Sequence, residues 1–293
     1  MLGADARAFY TAGGPMTSIA DRRELLDGLP VRAEEMRATV PGLVVHPAWA
    51  AAYGVAVEGD DRAATEQQLR PASAMLDALA ARVDAPLRVP RLPADRVVGV
   101  CRNFTVLFVA LLRSAGIPAR ARCGHAGYFE AGKWVDHWVA EWWNDDDGRW
   151  VRADSQLDEF QVQVIGATWS PDDLPPGAFL TGGECWERVR AGEIDGSTCG
   201  IFDMWGDWFV RSNAIRDLAA INNMELLPWD AWGLMEDLSV VGSDGDNAVI
   251  DGVAAACASD DLDRVRAVYA DERFTVPRTV TSFRPTGPVR VAL

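Results

Sequence analysis

From position 101 the apolar residues Phe104, Leu107, Phe108, Leu111 and Leu112 recur at three- and four-residue intervals. That spacing predicts a helix over residues 101–114, and Gly116 with Pro118 supplies its stop signal. The pattern then changes to extended segments over residues 120–130, 133–144 and 149–154. Ala131-Gly132 marks a hairpin between the first two, and the polar run 144–148 marks the turn before the third. Along 133–144 strict alternation puts Trp134, Trp138 and Trp142 on one face and Val135, His137, Val139, Glu141 and Trp143 on the other, the pattern of a strand covered on both sides.

The flanks read as mostly helical. Thr17 or Ser18 caps a helix expected to run to Asp27, with Gly28 ending it, and residues 32–38 form a second short apolar-periodic segment. Leu69, Met75, Leu76, Leu79 and Val83 predict helix over 63–83, interrupted at Pro71. Pro86, Pro90 and Pro93 then deliver the chain to the start of the helix at 101. Beyond the strands, the proline-rich run 170–177 leaves the sheet, and helices are expected over 184–191 and 212–227. The aromatic, glycine-bearing segment between them is expected to plug the core or cover a site. Residues 242–252 are acidic and read as turn, without the glutamate a calcium loop needs at its last position. A last helix over 260–269 precedes an extended tail carrying proline and arginine.

These elements distribute three chemically distinct side chains. Cys101 falls in the first turn of a helix, His137 in the middle strand and Asp154 at the end of the third. A helix N-terminus and a neighbouring imidazolium are the two surroundings that make a thiol a good nucleophile near neutral pH. In that arrangement Cys101 attacks an acyl carbon, His137 accepts the thiol proton and later protonates the leaving group, and Asp154 holds the imidazole tautomer. Each residue taken singly has an ordinary structural reading: a buried thiol, a strand histidine, a turn-capping carboxylate. Their chain order, each on a different element, is what favours chemistry.

The residues around them resemble the transglutaminase-like superfamily, which shares a papain-like Cys-His-Asp core. The resemblance is carried by Gly99-x-Cys101-x-Asn103-Phe104-Thr105, by Leu111-Leu112-Arg113-x-x-Gly116-Ile117-Pro118-Ala119-Arg120, by His137 with Glu141 four residues on, and by Trp150-Val151 before Asp154. It spans residues 90–158. It implies an α+β fold in which a helix carrying the cysteine packs on an antiparallel sheet, and a thioester acyl-enzyme. The family includes transamidating enzymes, proteases, deglycosylating amidases and amide-forming enzymes. In this sequence Trp138 follows the histidine directly, where the family places a tryptophan two residues on, and Ser155-Gln156 stand where Pro-Thr is common. Both departures bear on the shape of the acyl pocket.

Other candidates surround this set. His125 lies two residues after Cys123, on one strand face, and is a candidate substrate contact, as is Trp138. Cys123, His125 and His137 form a barely complete zinc set. His46, beside Pro47, is a lone histidine at a helix boundary. Eleven of the twelve tryptophans lie between Trp134 and Trp232, so most should be core, with one or two free to line an apolar pocket.

Composition narrows the classes. With 293 residues, 49% hydrophobic and 24% charged, the chain is an ordinary globular sequence. Its net charge of -15, from 28 basic and 43 acidic residues, argues against nucleic acid and anionic membranes as partners. The first residues lack a basic start followed by an apolar run, and the five cysteines are odd in number and scattered, so a cytoplasmic protein without a disulfide framework is expected. The reading is a single transglutaminase-like domain, with a helical part over 1–95, a catalytic core over 96–165 and a mainly helical part over 166–293. It would perform cysteine-dependent acyl transfer without a cofactor, from an acyl donor to an amine or water, either of them on a protein or carrier. The alternatives are an inactive binding or scaffold module on the same fold, and the zinc protein.

Overall fold

The computed structural model describes residues 1–236 and 244–293, with the side chains of 244–246 outside the description. The chain divides into two compact units, Met1–Ala121 with Trp138–Leu174, and Arg122–His137 with Pro175–Leu293. It is a mixed helix and sheet fold, as the periodicities predict.

The first unit opens with helices α1 (Ala4–Thr11) and α2 (Ala33–Thr39), the short strand β1 (Val44–Val45), and helices α3 (Pro47–Ala50), α4 (Asp61–Glu66) and α5 (Ala72–Ala80). Strand β2 (Val97–Val98) pairs in parallel with β1 and leads into α6 (Cys101–Ser114), which has the bounds its apolar spacing predicts. All but one of its fourteen residues are buried, so its polar side chains need partners inside the protein. Arg102 Nη1 donates to Arg70 O at 2.6 Å, and Asn103 Nδ2 to Leu69 O at 3.1 Å. Arg113 donates to Ala119 O through Nε and Nη2, at 3.0 and 2.8 Å, and through Nη1 to Thr17 Oγ1 at 2.6 Å.

That last bond explains one correction. Residues 17–27 are not one helix but a run of turns ending in a single 3-10 turn, Arg23–Leu26. Thr17 Oγ1 accepts from both Arg113 and Gly14 N, so the side chain expected to cap a helix is committed to a tertiary bond. Helix α1 falls within the part expected to be helical.

Next come β3 (Ala119–Ala126), β4 (Trp134–Asn144), β5 (Arg149–Ala153) and α7 (Glu159–Ile165). The unit boundary runs through β3 after Ala121 and through β4 after His137. Strand β5 is antiparallel to β4, with Ala140 opposite Ala153 and Asn144 opposite Arg149. Within the first unit Glu141 is clasped by Arg120 at 2.7 Å and Arg152 at 2.9 Å. The Arg120 guanidinium stacks 4.2 Å over Trp150.

The second unit adds β6 (Phe179–Thr181), α8 (Gly182–Arg190), β7 (Cys199–Ile201), β8 (Met204–Trp205), α9 (Asp207–Ile221), β9 (Asp230–Ala231), α10 (Asp244–Cys257), α11 (Leu262–Tyr269) and the hairpin β10 (Thr279–Arg284) and β11 (Gly287–Ala292). The larger sheet has the strand order β6-β3-β4-β7-β8, with β5 also on β4. Strand β6 is antiparallel to β3. A Cβ on Gly124 would fall 2.0 Å from Leu180 O, so this pairing needs a glycine. Strand β7 joins β4 in parallel, Trp134 opposite Cys199.

The aromatic segment before α9, expected to plug the core or cover a site, forms the hairpin β7–β8, with Phe202 at its exposed tip. Two further expectations change here. Helix α9 starts at Asp207 rather than 212 and ends at Ile221, where Asn223 adopts a positive φ of 63°. Of the acidic run 242–252, residues 242–243 lie outside the described residues and the rest belongs to α10. Ile250, Val253, Ala254 and Cys257 give that helix a buried stripe at helical spacing. The C-terminal tail is β10 and β11, and β10 pairs with β9. Among the described residues no helix is long and apolar enough to cross a membrane.

Asp217 of α9, fully buried, binds Arg122 through both oxygens, at 2.9 and 2.8 Å, and accepts from Cys123 N at 3.0 Å. Breaking a buried pair strands a charge, whereas replacing both partners with apolar groups is far milder. Asp217→Leu should therefore lower stability by about 3–5 kcal/mol. The double variant Arg122→Met with Asp217→Leu should recover most of it, read by urea unfolding. Additive losses in the double variant would contradict this.

Candidate active site

Cys101 is the first residue of α6, separated from β2 by Gly99 and Val100. The approach is tight. A Cβ on Gly99 would lie 2.7 Å from Asn103 Cβ and 3.2 Å from Val44 Cγ1. Val98 N donates to Glu66 Oε2 at 2.8 Å and Gly99 N to Val45 O at 3.1 Å. Asn103 reaches back to accept from Val100 N at 3.1 Å, which fixes the first turn. Cys101 is 7% exposed, while Cys123, Cys185, Cys199 and Cys257 are at 2% or less. All five are free thiols.

Asp154 directly follows β5 and is fully buried. Its N donates to Pro171 O at 2.8 Å, and its Oδ1 accepts from Gln156 N at 2.9 Å, a turn that sets the carboxylate's direction. Ala153, the residue before it, pairs with Ala140 of β4, and His137 stands three residues before Ala140 on that strand. Glu141, part of the sequence resemblance, serves the ion triad with Arg120 and Arg152. Trp138, next to His137, points to the other strand face and is a core side chain, 1% exposed. Also in the first unit, an open cleft of about 1060 Å³ is lined by Thr17, Arg23, Asp27 and Arg113 among others, and by none of the predicted site residues.

In the second unit His137 is 2% exposed and surrounded by rings. Phe129, Tyr128 and Phe179 stand edge-on to the imidazole, with centroids at 4.9, 6.0 and 6.5 Å. His125 has different company. It is fully enclosed, with Phe209 edge-on at 6.1 Å and Asn213 Nδ2 3.3 Å from its Nε2. The same Asn213 amide lies 2.8 Å from Asp136 Oδ1 and 3.2 Å from Gly124 O, tying α9 to both strands. Burial, helped by the Arg216 charge, pushes the His125 pKa down to about 3. Burial raises the Asp136 carboxyl, against the opposing pull of Arg216, Asn213 and His137.

The zinc alternative finds no site. Among the described residues no three His, Cys, Asp or Glu side chains gather to hold a metal ion. His125 and His137 have separate neighbours, Phe209 and Asn213 for the first and Tyr128, Phe129 and Phe179 for the second. His46 accepts from Ala48 N at 3.1 Å and caps α3. Two features escaped the sequence reading. One is the Asn213 bridge, which leaves no local signal. The other is the Tyr128-Phe129 pair, whose signal was present: adjacent large aromatics in an otherwise polar turn.

Residues 76–155, a segment that holds Cys101, His137 and Asp154, match the family model of the transglutaminase-like superfamily. A comparison with curated proteins finds no match. Among solved structures the chain is similar to a Cytophaga hutchinsonii protein provisionally assigned as a cysteine protease. The two are 16% identical with a TM-score of 0.35, over 53% of this chain and 43% of that one, so this chain spans less than half of that structure's length.

The neutral, buried His125 has a consequence for stability. Between pH 6.5 and about 3 the unfolded chain binds a proton at this residue that the folded chain does not. Its contribution is thus complete above pH 6.5 and is lost as pH falls, by about 1.4 kcal/mol per pH unit. In urea unfolding at pH 6.5, 5.5 and 4.5, His125→Gln should flatten the acid limb by about that slope. Parallel curves for the two proteins would refute a neutral His125.

Proposed function

We propose that the protein is an enzyme performing cysteine-dependent acyl transfer on an amide, ester or thioester, with Cys101 as nucleophile, His137 as proton carrier and Asp154 as the group that orients the imidazole. The observation that carries the reading is Cys101 itself. It is the first residue of a helix buried at every position but its last, the least buried of five thiols, and it lies in the segment that matches the transglutaminase-like superfamily. The other two residues lie in the same segment, on β4 and at the end of β5.

In this reading His137 takes the thiol proton as Cys101 Sγ bonds to the acyl carbon. Electrons shift onto the carbonyl oxygen, and backbone N–H groups in the first turn of α6 are suited to stabilise that negative charge. The intermediate collapses as His137 protonates the leaving amine, alcohol or thiol, which leaves a thioester on Cys101. An amine or water then attacks the thioester, gives its proton to His137, and the thiol is restored. Whether water is kept out decides between transfer and hydrolysis.

Iodoacetamide at neutral pH should label one thiol, Cys101, before the four enclosed ones. His137→Ala should slow that labelling at least about tenfold, and Asp154→Asn should reduce turnover by about 100-fold or more while leaving the fold intact. Intact mass spectrometry with a panel of amides and carrier-bound thioesters should show an added acyl group that is absent in Cys101→Ala. Slow labelling that ignores His137→Ala, with no acyl adduct, would reject the enzyme and leave a binding module.

A further inference from the structure

The short connection between β3 and β4 is pinned at both ends. Gly127 N donates to Ala178 O at 2.9 Å, and a Cβ on Gly127 would sit 3.0 Å from the Trp134 ring. At the other end Lys133 N donates to Glu130 O at 3.1 Å, and Lys133 Nζ lies 4.6 Å over the Trp205 ring. Between these anchors Tyr128 and Phe129 lie against each other, with centroids 4.7 Å apart. Both turn their rings to His137, at 6.0 and 4.9 Å.

The burial of these rings is uneven. Phe179, the third ring around His137, is 1% exposed and belongs to the core, whereas Tyr128 and Phe129 are only half-buried. Two large aromatics on a turn that leaves them partly wet gain less from burial than core residues do. Their common feature is the imidazole they flank. A group that exchanges a proton with that imidazole must come within about 3 Å of a ring nitrogen, and so into contact with one or both rings. Ring edges and faces reward a flat apolar body there and offer nothing to a small polar one.

We propose that Tyr128 and Phe129 determine specificity for the group that exchanges a proton with His137, the leaving group of the acyl donor or the incoming acceptor, and select an aryl or similarly bulky apolar body. This rests on the reading of His137 as the proton carrier.

The test compares two alkylating probes on the full-length protein, iodoacetamide and N-phenyl iodoacetamide. In each case Cys101 Sγ bonds to the methylene carbon, the C–I bond breaks, iodide departs and the thiol proton passes to His137. Only the second probe carries a phenyl group, on its amide nitrogen, the position at which an amide substrate carries its leaving amine. The ratio of the two rates, divided by the same ratio for a small free thiol, isolates the contribution of the rings. The wild type should favour the phenyl probe by roughly three- to tenfold. Phe129→Ala should bring the ratio of the two rates close to one, and Tyr128→Ala should lower it part of the way. Phe129→Leu, which keeps apolar bulk in case the alanine variant unfolds, should also lose the preference. A corrected ratio near one in the wild type, or one unchanged in Phe129→Leu and Tyr128→Ala, would overturn the proposal. Failure of the underlying mechanism has a different signature: both probes label slowly at rates indifferent to His137→Ala, and the specificity proposal then falls with it.

Discussion

A helix enclosed on nearly every side can keep its arginines and its asparagine only if the surrounding chain answers their donors, and much of the first unit follows from that constraint on α6. Arg102 draws in the carbonyls at 69 and 70, Asn103 shares one of them while closing the helix start, and Arg113 holds Thr17 and Ala119. An unanswered buried donor costs about 1–3 kcal/mol, more if charged. Each of these contacts therefore fixes a stretch of otherwise irregular chain. Cys101 inherits its position from the same bonds, since the turn that begins α6 is tied at Gly99, Val100 and Asn103.

The second unit solves a similar problem at the edge of a strand. Where β6 stops pairing with β3 at Gly124, α9 takes over: Asp217 accepts from Cys123 N and from Arg122, and Asn213 reaches Gly124 O. The buried carboxylate does double service, as an ion-pair partner and as a substitute for a missing strand. Asn213 extends the arrangement to Asp136, the residue before His137. On β4, then, adjacent residues have opposite surroundings: polar and hydrogen-bonded at Asp136, aromatic at His137. That contrast follows from the period of two in a strand, and it leaves the imidazole among rings whose edges constrain its tilt.

Helix α6 was legible to the residue because its apolar spacing, its stop signal and its burial agree. The strands carrying His137 and Asp154 were legible within a few residues, since alternation and turn chemistry are local properties. Reading failed at Thr17, whose hydroxyl answers an arginine 96 residues away, and at 199–205, where an aromatic stretch became strand by pairing with β4. It failed again before α10, whose acidic start suggests turn until the buried stripe from Ile250 to Cys257 is counted. In each case a contact distant in sequence outweighed a weak local preference.

By itself the sequence determined the order of the elements, the placement of a cysteine at a helix start and of a histidine and an aspartate on or beside strands, and a resemblance resting on a handful of spaced residues. These depend on periodicity and backbone stereochemistry, which act over a few residues. Only the tertiary structure decided that His125 is an enclosed neutral base, that Glu141 is bound in an ion triad, and that Tyr128 and Phe129 turn back upon His137. Burial and partnership are properties of neighbours brought together by folding, and nothing within three or four residues of a side chain encodes who those neighbours will be.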